Sequence, residues 1–292
     1  MKNNITKYTY LNKLKIIRYS NGENLVIKKN LNHDLTKVYK YLTDHDFEYY
    51  LKPLKITKDE VYFPYLQEIE LTADEKAKRL IYNLSYLQTK TTIYQSIDKD
   101  KILEEYNTYH DQITSLEKYY HNLQDMVEEK VYMMPSEYLF IRNVSLIYKA
   151  LNYSNMLLDK WYNLIKTKKT ERLVYCHGKC QIDHFLANDN GYFLSLENAH
   201  IGKVSEDFIN FYNHNYQNTD MLSNFKYYQK KYPYLEEELL YLYLNLTIPP
   251  KIDIYKSSLN KCIELNDFYD KLKITSYFVL NNQKKKQYNE QN

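Results

Sequence analysis

The hydrophobic pattern of this chain changes period near Pro64, and that change limits the folds it can adopt. Before it, residues 9 to 29, TYLNKLKIIRYSNGENLVIKK, alternate and are rich in β-branched side chains. The pattern predicts two strands around the turn Ser20-Asn21-Gly22-Glu23, with LVIKK as the second strand. His33 to Thr43 places Leu35, Val38, Tyr39 and Leu42 on one face of a helix, and YLKPLKI and VYFPYL read as further short strands. Beyond Pro64 the period becomes helical. Thr72 and Glu75 form a capping box ahead of a stripe of Ala77, Leu80, Ile81, Leu84 and Leu87. Further helices are expected over about 101 to 130, from Pro135 to about Lys166 (with Leu139, Val144, Ile147, Leu151 and Leu158 apolar), at about 205 to 214, and through most of the remainder. Between them, ERLVYCHG and GYFLSLENA read as two short strands. The expected organisation is α+β: a small β-rich N-lobe at 1–66, a hinge near Pro64 to Glu68, a mainly helical C-lobe at 67–280 and a disordered polar tail at 281–292.

A chain of 292 residues, 44% hydrophobic, can bury one large core or two modest ones. Its 40 basic and 37 acidic side chains leave a formal charge of +3, too little to capture nucleic acid or an acidic membrane. Lysines 284 to 286 are too few for a nucleic-acid footprint. No run reaches the ~18 apolar residues of a membrane span, and the start, MKNNITKYTYLNKLK, has a basic region without an apolar signal core. A cytoplasmic protein is expected. Three cysteines, Cys176, Cys180 and Cys262, make no disulfide framework and fit a reducing compartment. The 35 tyrosines, with abundant Asn and Lys, carry the imprint of an AT-rich genome. Their physical consequence is that each buried hydroxyl needs a partner. His110 and His121 belong to no convergent cluster and read as helix-packing side chains.

Chemistry concentrates in YCHGKCQIDHFL, residues 175 to 186, where two cysteines, two histidines, an aspartate and one of only four glycines fall together. Three readings are open. Cys176, Cys180 and His184, each four residues from the next and with His177 beside them, offer sulfur and nitrogen donors to zinc, which would make this a zinc-stabilised binding domain. Cys176 or Cys180 beside a histidine could be a nucleophile, although sequence neighbours rarely hold the geometry of such a pair. Small buried thiols are the plain alternative.

The residues that follow carry a resemblance. His177-Gly178, then Glu197, Ala199, Gly202 and Asp207, resemble the H-G turn and the E-x-A-x-x-G-x-x-x-x-D run of the aminoglycoside phosphotransferase and choline kinase superfamily, which has a protein-kinase-like two-lobed fold. Within it the chain resembles most the spore-coat-associated kinase-like proteins of low-GC Gram-positive bacteria. The resemblance spans the chain in outline, with its sharp motifs confined to 175–208.

The departures from that pattern matter for function. Lys179 stands where the resemblance implies the catalytic-loop Asp, His184 where it implies a metal-binding Asn, and Ser195 where it implies a metal-binding Asp. Phosphoryl transfer rests on positioning and on charge neutralisation by Mg²⁺, and a lysine, a histidine and a serine are poor substitutes for hard oxygen donors. Loss of general-base help alone is worth about 10²–10⁴ in rate. The expected function is therefore a pseudokinase, a non-catalytic binding or scaffolding module with a protein partner and a possible link to the spore coat. The alternative is an active small-molecule phosphotransferase in which Asp183 and Glu197 act as substitutes. Lys28 of LVIKK lies in the register of the nucleotide lysine in V-A-I-K, and a solvated strand-edge lysine is an equal reading. Its helix partner is not evident, since only Asp34, Asp44, Asp46 and Glu48 are near in sequence. Gly22 alone makes no glycine-rich phosphate loop. No resident cofactor is expected, and any ATP binding through Lys28 should be weak and independent of Mg²⁺. Asp207, in the first turn of a helix, is expected to accept the N–H groups of the His177-Gly178 turn, with Gly202 shaping the same loop.

Overall fold

A computed structural model describes residues 5–11, 14–30, 34–254 and 259–289. The chain divides into two compact units, Met1–Ile93 with Leu173–Pro233, and Tyr94–Arg172 with Tyr234–Asn292.

The first unit opens with an antiparallel sheet. β1 (Ile5–Leu11), β2 (Leu14–Tyr19) and β3 (Asn24–Lys29) follow one another, and β4 (Lys55–Ile56) and β5 (Glu60–Pro64) complete it in the order β1-β2-β3-β5-β4. The sequence pattern over 9–29 anticipates two strands; the segment before the turn holds parts of two, with residues 12 and 13 outside the described residues. The turn closes where expected, with the Gly22 N–H donating to the Tyr19 carbonyl at 3.1 Å and Gly22 at φ +86°. β3 is the central strand, pairing Lys28 with Leu14 on one side and Val61 on the other. Helix α1 (Leu35–Asp44) buries Leu35 and Leu42; His33 lies outside the described residues.

Helix α2 (Ala73–Thr91) begins at the capping box, where the Glu75 N–H donates to Thr72 Oγ1 at 3.3 Å and the Thr72 N–H donates to Glu75 Oε2 at 2.9 Å. Its five-residue apolar stripe is buried. The rest of the chain contributes β6 (Ile93–Ser96), α3 (Lys99–Glu128), α4 (Pro135–Ile165), β7 (Thr170–Cys176), β8 (Phe185–Leu186), β9 (Tyr192–Phe193), β10 (His200–Lys203), α5 (Glu206–Asn215), α6 (Met221–Lys231), α7 (Glu236–Thr247) and α8 (Leu259–Asn289). In the first unit, β10 pairs antiparallel with β7, setting His200 opposite Cys176 and Gly202 opposite Val174. The strand expected over GYFLSLENA ends at Phe193. Ser195 at φ 59° is left-handed, which breaks the pleat, and Leu196–Asn198 continue as a single 3-10 turn.

The second unit is helical. α3, α4, α7 and α8 bury Ile113, Tyr120, Phe140, Ile147, Leu244 and Phe278 among others. Fully buried tyrosines find acceptors here, as Tyr269 does in the Phe140 carbonyl at 3.3 Å. Arg172 clamps Glu238 with two bonds, Nε to Oε1 at 2.8 Å and Nη2 to Oε2 at 2.5 Å. α8 runs to Asn289, so residues 281–289 are helical where a disordered tail is expected from composition; the stretch holds no Gly or Pro to end the helix. Among the described residues no helix is long and apolar enough to cross a membrane.

Candidate functional site

The loops between β7 and α5 are organised by one buried histidine. His177 follows the last residue of β7, and its ring is fully buried. Nε2 lies 2.7 Å from the Leu194 carbonyl, and Nδ1 faces the Lys179 N–H at 3.1 Å. One nitrogen therefore donates and the other accepts, which fixes a neutral tautomer. Burial holds its pKa down at about 4, against the pull of the Leu194 carbonyl. The ring also packs on Phe193, with centroids 4.9 Å apart, so the histidine ties the end of β7 to the segment just before Ser195.

Asp207, in the first turn of α5, is buried and closes the same loop from the other side. Its Oδ2 accepts the His177 N–H at 2.7 Å and its Oδ1 accepts the Gly178 N–H at 2.9 Å. Burial pushes its carboxyl up to about 6, which the two N–H donors only partly offset. Gly178 sits at φ +76°, and a Cβ there would meet the Asn198 carbonyl oxygen at 2.2 Å. Only glycine fits this turn.

Lys28 reaches from the central strand to the segment after Ser195. Its ammonium pairs with Glu197 Oε1 and donates to Ser195 Oγ at 3.1 Å, with 24% of the lysine side chain and 14% of the glutamate side chain exposed. It is thus a partly buried, paired lysine and not a solvated edge residue. Burial raises the Glu197 carboxyl, but Lys28, with Lys179 adding to it, holds the pKa below its ordinary value. None of the four carboxylates near α1 in sequence is its partner, and Asp34 instead pairs with Lys37 at 2.8 Å. α1 contributes Tyr39, whose hydroxyl is pushed up by burial and then by the Glu197 charge. Sequence reasoning missed the Lys28–Glu197 pair because its members are 169 positions apart.

His184 is half-buried, and burial, Lys179 and Lys28 together depress its pKa. Lys179 and Asp183 are exposed. Positions 179, 184 and 195 thus offer an ammonium, an imidazole and a hydroxyl, and of the two carboxylates that act on His184, Glu197 is paired with Lys28 and Asp183 is exposed. Among these groups Asp183 is left as the hard anionic oxygen not committed to Lys28, beside the Lys179 ammonium that repels a cation, a poor set for the octahedral oxygen array of Mg²⁺. The zinc set read from spacing is not assembled either. Among the described residues, the Cys176 donor atom lies with those of His200 and Glu206, and neither Cys180 nor His184 joins them. Both thiols are fully buried and burial raises them, so neither is poised as a nucleophile.

No family model and no curated protein matches the sequence. Solved structures do match the fold. The chain superposes on an aminoglycoside phosphotransferase from Alicyclobacillus acidocaldarius with a TM-score of 0.73 at 9% identity, covering 97% of this chain and 93% of that one. The AMP-bound spectinomycin phosphotransferase APH(9)-Ia matches with a TM-score of 0.56 at 11% identity, covering 94% and 93%. A glucosamine kinase matches with a TM-score of 0.52 at 8% identity, covering 95% and 77%. With its small antiparallel sheet and mostly helical remainder, the chain has the protein-kinase-like α+β fold that these phosphotransferases share.

Proposed function

We propose that the protein is a pseudokinase, a kinase-like fold kept as a binding module for a protein partner. The observation that carries this reading is the pairing of Lys28 with Glu197 beside Ser195. The cation that would steady a nucleotide and the Glu197 carboxylate satisfy each other. Lys179 and His184 add nitrogen groups to this neighbourhood, which leaves the exposed Asp183 as its remaining hard anionic donor, the residue on which the second reading rests. The resemblance to spore-coat-associated proteins supports a coat component as the partner class, to be sought by pull-down when the protein is made.

The second reading, an active phosphotransferase, is favoured by the names of the structures the fold matches. ATP turnover measured across sugars, amino alcohols and protein substrates separates the two. None is expected above background. Turnover abolished by Asp183→Ala would overturn the proposal. Nucleotide contact is tested separately by thermal shift with ATP in Mg²⁺ or EDTA, where the expected shift is small and the same in both.

A further inference from the structure

Cys176 ends β7 and His200 begins β10 directly opposite it in the antiparallel register, so their side chains leave the sheet on the same face. Glu206 stands at the first position of α5 and turns back over β10. The three donor atoms, Cys176 Sγ, a His200 ring nitrogen and a Glu206 carboxylate oxygen, lie within 4.8 Å of one another. Sulfur forms the buried floor, and the histidine and glutamate side chains, 51% and 37% exposed, form the mouth.

The histidine is set as a ligand would be. Nδ1 lies 2.8 Å from the Asn198 carbonyl, and Nε2 lies 2.9 Å from Glu206 Oε2. Both ring nitrogens thus face acceptors. A neutral imidazole that donates from Nδ1 turns the Nε2 lone pair onto a carboxylate, an arrangement relieved only by a proton or a cation between them. An imidazole whose far nitrogen donates to a backbone carbonyl is the usual second-shell geometry of metal-bound histidine. Glu206 is braced as well, with Oε1 accepting the Lys203 N–H at 2.9 Å. Gly202 leaves the room: a Cβ there would stand 2.7 Å from Glu206 Oε2 and 2.9 Å from His200 Nε2.

We infer that Cys176, His200 and Glu206 form a zinc site with one position open to solvent. One sulfur, one nitrogen and one oxygen donor, with a water as fourth ligand, is a set that suits zinc and not the hard cations. The charges balance, since a thiolate and a carboxylate offset the dication. Burial and the nearby Asp207 and Glu206 keep the Cys176 thiol protonated without metal; on coordination its proton leaves to solvent as the S–Zn bond forms. The ion would pin β7, β10 and the first turn of α5, the three segments that bracket the His177-Gly178 turn.

The test uses the full chain, stripped with EDTA and then titrated with zinc alone, with bound metal counted by elemental analysis. About one zinc per chain is expected, retained by His184→Gln and Cys180→Ala and weakened at least tenfold by His200→Gln, Glu206→Gln and Gly202→Ala. Cobalt in place of zinc should show a thiolate charge-transfer band that Cys176→Ser removes; should that buried variant fail to fold, the two surface variants and the cobalt spectrum of the unmodified chain still decide. No bound zinc, or zinc bound equally well by His200→Gln and Glu206→Gln, overturns the inference.

Discussion

The carboxylate of Asp207 accepts the backbone N–H of His177 at 2.7 Å, and through its second oxygen that of Gly178 at 2.9 Å. The bond requires nothing of a substrate or a metal. It holds the turn in place in a chain whose neighbouring positions are Lys179, His184 and Ser195. Asp207→Ala leaves two N–H groups without this acceptor, and a cost of about 1–3 kcal/mol is expected. Lys179→Ala, at an exposed site, should change stability by less than ~0.5 kcal/mol. Denaturant melts of the two variants check the contrast; equal effects would remove the architectural role.

His177 and Asp207 give acid stability two opposing slopes. His177 is held at about 4, below its ordinary 6.5, so its contribution is present above pH 6.5 and is lost as the pH falls toward 4. Asp207 is raised to about 6 from 3.8, so its contribution is present below pH 3.8 and is lost as the pH rises through 6. Each is worth ~1.4 kcal/mol per pH unit while it titrates. Between pH 4 and 6 they nearly cancel. Stability measured against pH should therefore rise, relative to the unmodified protein, as His177→Gln is taken from pH 6.5 to 4, and fall for Asp207→Asn over pH 6 to 4. Parallel curves for all three proteins would refute the assignment.

Lys28 and Glu197 should behave as a coupled pair. Lys28→Met strands a largely buried carboxylate, whereas Lys28→Met with Glu197→Gln removes both charges together. The double variant is expected to be more stable than the sum of the two single changes allows, with a coupling of about 0.5–3 kcal/mol. A double-mutant cycle by urea melts measures it, and strict additivity would mean that the pair contributes nothing.

The glycines divide sharply in tolerance. Gly178→Ala meets both a left-handed φ and a carbonyl oxygen 2.2 Å from the new Cβ, while Gly22→Ala, also left-handed, has nothing within 4 Å. The conformational part is about 1–2 kcal/mol for either, and overpacking adds about 1–3 kcal/mol at Gly178 alone. Thermal unfolding of the two variants should therefore show the larger drop in Tm for Gly178→Ala.

Much of the fold was legible in the sequence because its signals are local. The capping box at Thr72 and Glu75, the apolar stripe of α2 and the turn at Gly22 each depend on residues within a few positions of one another, where backbone period and side-chain reach fix the outcome. The bonds from Asp207 to the turn, 29 and 30 positions up the chain, were readable for a different reason: the motif resemblance set the H-G turn and the later Asp together, and a carboxylate in a helix first turn needs donors. The local signal misled at Ser195, whose left-handed backbone ended the strand that alternation suggested, before the turn at Gly22, where one expected strand is parts of two, and in α8, which runs on to Asn289 through a stretch whose composition suggested disorder.

Tertiary structure alone decided which charged and metal-seeking groups meet. Regular spacing suggested Cys176, Cys180 and His184 as one donor set, but a strand end, a buried loop and a short 3-10 turn do not share a helical period. The sheet register instead put Cys176 opposite His200 and beneath Glu206. Lys28 likewise found Glu197 across 169 positions, a contact that exists only once β3 and the segment after Ser195 have packed. Local patterns set which elements form, because their energies are summed over near neighbours; long-range pairing is set by how those elements close on one another, and no spacing along the chain records it.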